Sequence, residues 1–320
     1  MRIIERIYEL MDNKLYKYGA IAAIVAIMAA LPLFLNNYTL NVIWSAMFYM
    51  LLALGLNVIV GFCGLCDLGY AAKFAIGAYT SGILIKSFGW SFWATLPVTI
   101  LTSTVAALAV GGPTLKLRSD YLAIVTLGFA EIVRITARNL SITGSATGLN
   151  AISRPSLFGV RLTQIVHWYY VFLFLVCLFV FITYRIKYSR FGRALAYIRE
   201  DEDAAQAMGV NTTLYKLYAY IIGAILGGIT GSFFAVKMTS ISPTSFDFNQ
   251  SANILLAVIL GGIGKIPGVM AGAAFFAVFP EIFRDIPVVR DMRMLFFGLL
   301  LIIVMINRPQ GLWPERLKQR

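Results

Sequence analysis

The 320-residue chain is 59% hydrophobic and only 13% charged, with a mean hydropathy of +0.79. A soluble globular protein has about 25% charged residues, so the composition excludes that class and indicates a helical membrane protein. The net charge is +12, but the basic residues stand between apolar runs instead of clustering with aromatics, which argues against a nucleic-acid partner.

The chain begins with a polar segment of mixed charge, residues 1–17, followed by an apolar run, residues 18–35. Both are long for the corresponding parts of a secretory signal peptide. We therefore expect residues 1–17 to be cytoplasmic and residues 18–35 to be a retained first span.

Apolar runs of helix length recur along the whole chain, which predicts an all-α polytopic membrane protein forming a single transmembrane domain over residues 1–320. About ten transmembrane or re-entrant helices are expected, near residues 18–35, 40–62, 68–86, 92–112, 121–137, 168–186, 214–236, 251–264, 266–283 and 293–307. The fifth contains Glu131 and Arg134 and the eighth is short, so a version with eight spans stays open.

Lysine and arginine are distributed unequally between the two sides of these segments. Of the 27 basic residues, 17 fall on the side of the N-terminus and 9 on the other, while Lys73 lies inside a segment. Because basic residues concentrate in cytoplasmic loops, we expect both termini and the loop 188–213 in the cytoplasm, with the loop 138–167 outside.

The loop 188–213 is the longest polar stretch and reads YSRFGRALAYIREDEDAAQAMGVNTT. Gly209 is placed to end a short helix, and Thr212 or Thr213 to cap the next one. Four apolar residues fall roughly on one side of such a helix, namely Leu195, Ile198, Ala205 and Met208. This pattern favours a helix that docks a soluble partner, and the alternative is a solvated linker.

Glycines are frequent in two regions, residues 61–82 and 261–272. Small residues allow helices to pack closely in membranes, which is one interpretation. The other is that two broken helices face each other near the midplane, as in transporters built from repeats.

Polar residues inside apolar segments are costly in lipid and therefore mark candidate pathway residues. Glu131 and Arg134 have the spacing of an ion pair within one helix, and Lys73 could extend to the headgroups. The candidates for a translocation pathway are Asn57, Asp67, Thr126 and Glu131.

The sequence has neither the phosphate-binding motif of an ATPase nor a set of catalytic residues. Cys63 and Cys66 have metal-site spacing, but no second pair accompanies them, so we expect no metal and no other cofactor. Energy would then come from a separate ATPase acting on the loop 188–213, and this chain would be no enzyme.

The motif Asp203-Ala204-Ala205-x-x-x-Gly209 resembles the EAA-x-x-x-G signature of ABC importer permeases, with Asp in place of the first Glu. The surrounding residues 189–211 are similar to the permeases of branched-chain amino acid importers, specifically the second, longer permease of the pair. Further similar stretches are GLNVIVGFCGL (55–65), FAIGAY (74–79), YLAIVTLGFAEI (121–132), ISP (241–243) and LAVILGGIGKIPGVMAGA (256–273).

The resemblance implies a multi-pass protein of the bacterial inner membrane that carries branched-chain or similar amino acids. Its partners would be a second permease in a heterodimer, two ATPase subunits and a periplasmic binding protein. The ATPase-coupling residues would be Arg193, Arg199, Glu200, Asp201, Glu202, Asp203, Ala204, Ala205 and Gly209.

Asp67 stands where the family usually has Ser, which leaves the substrate open. Relatives that carry urea or short amides are one alternative. A helical subunit of a membrane enzyme complex, whose polar loop would dock a catalytic partner, is another.

Overall fold

The computed structural model describes residues 26–115, 119–157 and 159–282, together with positions 298, 299, 302 and 306. Residues 26–30 are helical, and the α-helices that follow are α1 (Asn37–Leu56), α2 (Tyr70–Phe88), α3 (Phe92–Thr114), α4 (Ser119–Asn139), α5 (Ile165–Lys187), α6 (Arg190–Glu200), α7 (Glu202–Ala207), α8 (Thr212–Met238), α9 (Phe248–Gly261) and α10 (Ile266–Ile282). Short 3-10 turns cover Leu31–Leu33, Ser145–Thr147 and Pro243–Phe246.

Helix α1 continues into a π-helical turn, Asn57–Phe62, before the chain leaves helical geometry. Together they form one of the two most deeply buried long apolar helices among the described residues, α8 being the other, and α5, α8, α9 and α10 pack around it. Leu51, Leu52 and Leu54 are completely buried there. The apolar character on all sides of α1 explains its central position, because a helix without a polar face must be covered all round.

Helices α2 and α8 approach closely because glycines line their contact. A Cβ at Gly77 would collide with the carbonyl group of Gly228, and a Cβ at Gly231 with the carbonyl of Phe74. The interpretation of tight packing through small residues is therefore confirmed for this helix pair.

A cluster of buried hydroxyl groups joins α2, α3 and α8. Ser81 Oγ lies 2.7 Å from Ser232 Oγ and 3.0 Å from Thr99 Oγ1, and Thr95 also donates to Ser81. These hydrogen bonds between helices satisfy hydroxyl groups for which lipid tails offer no hydrogen-bond partner.

The predicted segments from 40–62 to 266–283 each correspond to a helix, with boundaries that differ by a few residues. The first and last predicted segments fall largely outside the described residues, as do residues 1–17. Among the described helices, four are long and apolar enough to cross a membrane, at Asn37–Phe62, Phe92–Thr114, Ile165–Lys187 and Thr212–Met238. The chain is thus a helical polytopic protein, while the count of ten spans and the orientation stay predictions.

The loop between α4 and α5 is ordered by backbone contacts. Ser156–Leu157 pairs antiparallel with Val160–Arg161, a small hairpin that the all-α prediction did not include. Leu149 and Ile241 form a second antiparallel bridge, which ties this loop to the turn after α8.

Candidate functional site

The polar segment 188–213 folds into two short helices, where the sequence predicted one. Ser189 caps α6 by accepting a hydrogen bond from Gly192 N at 3.1 Å, and Asp201 caps α7 by accepting from Ala204 N at 3.0 Å. Asp201 has extended backbone angles, so it both ends α6 and begins α7. Aspartate and serine are the residues that such helix starts prefer.

The end of the second helix agrees with the prediction at Gly209, whose φ is +83°. Only glycine adopts this left-handed conformation without cost. The predicted cap at Thr212 or Thr213 is wrong, since Asn211 caps α8 by accepting from Leu214 N at 3.2 Å. The asparagine side chain reaches that amide because it lies one position earlier, at the true start of the helix.

Three of the four residues predicted to share a face are buried against the membrane helices. Leu195 is 0% exposed, and Ile198 and Ala205 are each 4% exposed. Met208 is 85% exposed, which corrects its assignment to the buried face. The helix is interrupted at Asp201, which rotates α7 relative to α6. Residues of the two helices therefore do not share one continuous face.

The segment is also fixed to α8 by an ion pair between Lys216 and Glu202. The Lys216 side chain is only 6% exposed, whereas that of Glu202 is 46% exposed. A buried ammonium requires a partner, so this pair ties the first turn of α7 to the N-terminal part of α8.

Most of the predicted ATPase-coupling residues lie on the open side of this segment. The exposed ones are Arg193, Arg199, Glu200, Asp201, Glu202, Asp203, Ala204 and Gly209, whereas Ala205 is buried. Arg199 differs from the others, because its guanidinium is directed towards the membrane helices. Arg199 Nη1 donates to the carbonyl of Gly61 at 2.6 Å.

The two glycine-rich regions meet beside Arg199. We call residues 57–69 the first break and residues 262–265 the second break. Gly264 N donates to Asn57 Oδ1 at 2.9 Å, and Lys187 Nζ donates to the Gly264 carbonyl at 2.9 Å. The breaks do face each other, but they meet next to the last residue of α5 and the segment 188–213, not halfway along the helices.

Asp67 lies in the first break, where its carboxylate is completely buried and forms an ion pair with Lys73. Its other oxygen accepts from Gly69 N at 3.0 Å. Lys73 also lies over the Tyr220 ring, 3.6 Å from the centroid, and is 4% exposed. The suggestion that Lys73 extends to the headgroups is therefore wrong, because its charge is satisfied inside the protein.

Thr126 joins α4 to the first break by accepting a hydrogen bond from Leu68 N at 3.2 Å. Like Asn57 and Asp67, it is almost completely buried. Of the four pathway candidates, only Glu131 has a substantially exposed side chain, at 43%, and it pairs with Arg134 as predicted.

Sequence reasoning missed the lysines that hold this site together. Lys187 lies in the last turn of one apolar helix and Lys216 near the start of another, where a basic residue ordinarily faces the headgroups. Their partners, Gly264 and Glu202, are distant in sequence or on another helix, so local spacing carries no signal for these contacts.

Comparison with known proteins gives the family. Residues 38–305 match the family model described as branched-chain amino acid transport system, permease component. The chain belongs to this family. The permease is 39% identical over 316 residues to the high-affinity branched-chain amino acid transport system permease protein LivM of Salmonella typhimurium, an alignment covering 91% of this chain and 74% of the relative.

The Escherichia coli LivM permease is 38% identical over 318 residues, covering 92% of this chain and 74% of the relative. The LivH permease of Salmonella typhimurium is 25% identical over 284 residues, covering 82% and 90% respectively. The permease is thus of the longer, LivM type, as predicted from the residues around Gly209. No solved structure matches it.

Proposed function

We propose that this permease is one of two membrane-spanning subunits of an ATP-driven importer for branched-chain or similar amino acids in the bacterial inner membrane. It would form half of the translocation pathway together with a second permease. Two ATPase subunits and a periplasmic binding protein would complete the complex. The relatives named above are components of a high-affinity branched-chain amino acid transport system, which supports this substrate class.

The observation that carries the proposal is the two-sided construction of the segment 188–213. Its inner side is fixed by buried Leu195 and Ile198, and by the Lys216–Glu202 pair. Its outer side presents exposed charges of both signs and the exposed Met208. A solvated linker needs no fixed inner side, whereas a joint that transmits force between two proteins needs both sides.

The pathway is proposed to include Glu131. An exposed carboxylate beside an arginine on a helix with apolar neighbours is costly in lipid, so this face is better explained by contact with protein or water. Asn57, Asp67 and Thr126 would support the pathway from behind, because their side chains are buried within this subunit. Glu131→Gln should lower the uptake rate at unchanged membrane abundance, and unchanged uptake would remove Glu131 from the pathway.

Reconstitution of the complete complex tests the proposal. Purified permease, its LivH-type partner, the ATPase subunits and the binding protein should take up labelled leucine into proteoliposomes only when ATP is supplied. Omission of the binding protein or of the ATPase should abolish uptake. ATP-independent uptake, or no copurification of an ATPase with this chain, contradicts the proposal.

The same assay separates the alternatives. The case for urea or a short amide rested on Asp67, and the buried pairing of Asp67 with Lys73 supports a structural role for that residue instead. Excess unlabelled valine should compete with leucine, whereas urea and acetamide should not. The family assignment favours transport over a subunit of a membrane enzyme complex.

A further inference from the structure

We infer that Arg199 is a positioning residue that carries movement of the segment 188–213 to both glycine-rich breaks. This inference deepens the proposed function and rests on it. It gives Arg199 a role inside the permease, distinct from the contacts that the other exposed residues of the same segment would offer to an ATPase.

The first observation is the release of the Gly61 carbonyl from helical hydrogen bonding. In a continuous α-helix this carbonyl would accept from the amide four residues later. Here Leu65 N donates to Ile59 O at 3.2 Å, because the π-helical turn has shifted the pattern. The Gly61 carbonyl therefore accepts from Arg199 Nη1, in a charge-assisted bond of 2.6 Å.

The second observation is how closely the side chain fits between the breaks. A Cβ on Gly64 would lie 3.0 Å from Arg199 Cγ, and a Cβ on Gly264 would lie 2.7 Å from Arg199 Nη1. Both glycines have positive φ, at +76° and +83°. The stem of Arg199 thus lies against the first break and its guanidinium against the second.

The third observation is that the two breaks are fastened to each other at the same point. Gly264 N donates to Asn57 Oδ1, while Asn57 Nδ2 is buried and has no hydrogen-bond partner among the described residues. Lys187 holds the Gly264 carbonyl from the end of α5. A displacement of Arg199 would therefore act on α1, α9 and α10 together, through the chain segments that end or begin them.

The backbone at Arg199 is held firmly enough for this residue to transmit such a displacement. It stands next to Ile198, which is 4% exposed, in the last turn of α6. The helix is anchored at its start by the Ser189 cap. Energetic coupling between two sites is carried by contiguous, packed elements that can take two positions. We infer that α6, together with the Arg199 side chain, is such an element and connects the ATPase-facing side of the segment 188–213 to the two breaks.

The test compares two arginines of the same helix in the reconstituted complex. Arg199→Met keeps the stem and removes the donors, and Arg199→Lys keeps a cationic donor on a shorter side chain. Arg193→Met is the matched control, because Arg193 is exposed on the open side. The readouts are the ATPase copurified with the permease and the leucine transported per ATP hydrolysed.

Arg199→Met should retain the ATPase at the wild-type level while transport per ATP falls by about tenfold, within the range of mutations along a coupling path. Arg199→Lys should recover part of the loss. Arg193→Met should instead weaken ATPase copurification, and the complex that still assembles should couple normally. If Arg199→Met behaves like Arg193→Met, or transports normally per ATP, the inference is overturned.

A second measurement uses the unsubstituted arginine and so does not depend on how the variants fold. Spin labels at Ala207 and Ile263, with the native cysteines replaced, should keep one distance in nucleotide-free and ATP-bound complexes. A distance that changes between the two states would show that the segment and the second break move separately, which overturns the inference. A wild-type complex without ATP-dependent uptake would instead refute the proposed function itself.

Discussion

At Lys73 a buried ammonium group lies between the Asp67 carboxylate and the face of the Tyr220 ring. Removing one partner of a buried ion pair leaves an uncompensated charge and costs about 3–5 kcal/mol. Asp67→Asn should therefore lower the thermal stability of the detergent-solubilised permease, together with its abundance in the membrane. Size-exclusion chromatography and a thermal unfolding assay measure both.

The double variant Asp67→Asn/Lys73→Met is the control for this pair. It removes both charges and should regain much of the stability lost in the single variant, since no unpaired charge remains. If the single variant is as stable as the wild type and changes only substrate preference, the carboxylate acts on the pathway and not on the fold.

Gly209 provides a second prediction for a single residue. Its φ of +83° is left-handed, and, apart from Gly209 itself and its chain neighbours, no described atom lies within 4 Å of the position that a Cβ would take there. Valine in this conformation costs about 1–2 kcal/mol, while asparagine tolerates it better. Gly209→Val should abolish uptake at normal membrane insertion, and Gly209→Asn should retain it.

The two Gly209 variants distinguish a requirement for the left-handed backbone conformation from a requirement for space beside an ATPase. If Gly209→Asn also loses uptake and ATPase copurification, the glycine is needed because the ATPase surface comes close to it. Normal uptake by an inserted Gly209→Val protein would show that the left-handed turn has no part in coupling.

The residues of the site differ in how far the sequence could reveal them. Gly209 was predictable because a helix end followed by a new apolar run calls for a left-handed residue. The partners of Lys73, Lys187 and Lys216 were not, since each contact depends on how distant segments pack. The exposure of Met208 was not predicted, because the interruption of the helix at Asp201 changes the direction in which later side chains point.

Among the elements, the contact between α2 and α8 depends directly on glycine. A Cβ at Gly77 would meet the backbone of Gly228, which cannot move without displacing α8. Gly77→Ala should destabilise the permease by about 1–3 kcal/mol, the usual cost of overpacking. The thermal unfolding midpoint of the purified protein measures this effect.

Gly128→Ala on α4 is the matched control, because, apart from its chain neighbours and the backbone of its own helix, no described atom lies within 4 Å of a Cβ at that position. It should leave the midpoint unchanged or raise it slightly, since alanine favours helix over glycine. Equal destabilisation by the two substitutions would contradict a close contact specific to α2 and α8.

The helices themselves were largely predictable, because apolar runs of membrane length leave few other structures. The π-helical turn at Asn57–Phe62 was not predicted, since it changes the hydrogen-bond pattern without changing the hydropathy. The glycines marked both breaks correctly. Their meeting beside the end of α5 depended on the length and packing of α1, α9 and α10, which composition does not specify.

For the whole molecule, the orientation in the membrane decides which end of the bundle the proposed ATPase partner could reach. Of the described helices that are long enough to cross a membrane, only α5 lies between the loop that contains Ala146 and the segment that contains Gln206. At 1.5 Å per residue its 23 residues extend about 34 Å, enough to cross the hydrocarbon core once. The two positions must therefore lie on opposite sides if α5 spans the bilayer.

The charge bias predicts which side is which, since basic residues concentrate in cytoplasmic loops and 188–213 belongs to the more basic side. Both Ala146 and Gln206 are exposed, so a cysteine at either position should react with a membrane-impermeant maleimide once the native cysteines are replaced. We expect Ala146→Cys to label in intact spheroplasts and Gln206→Cys to label only in inside-out vesicles. Labelling of both from the same side would show that α5 does not cross the membrane. The reverse pattern would place the segment 188–213 outside the cell, where no ATPase could reach it, and would overturn the proposed coupling.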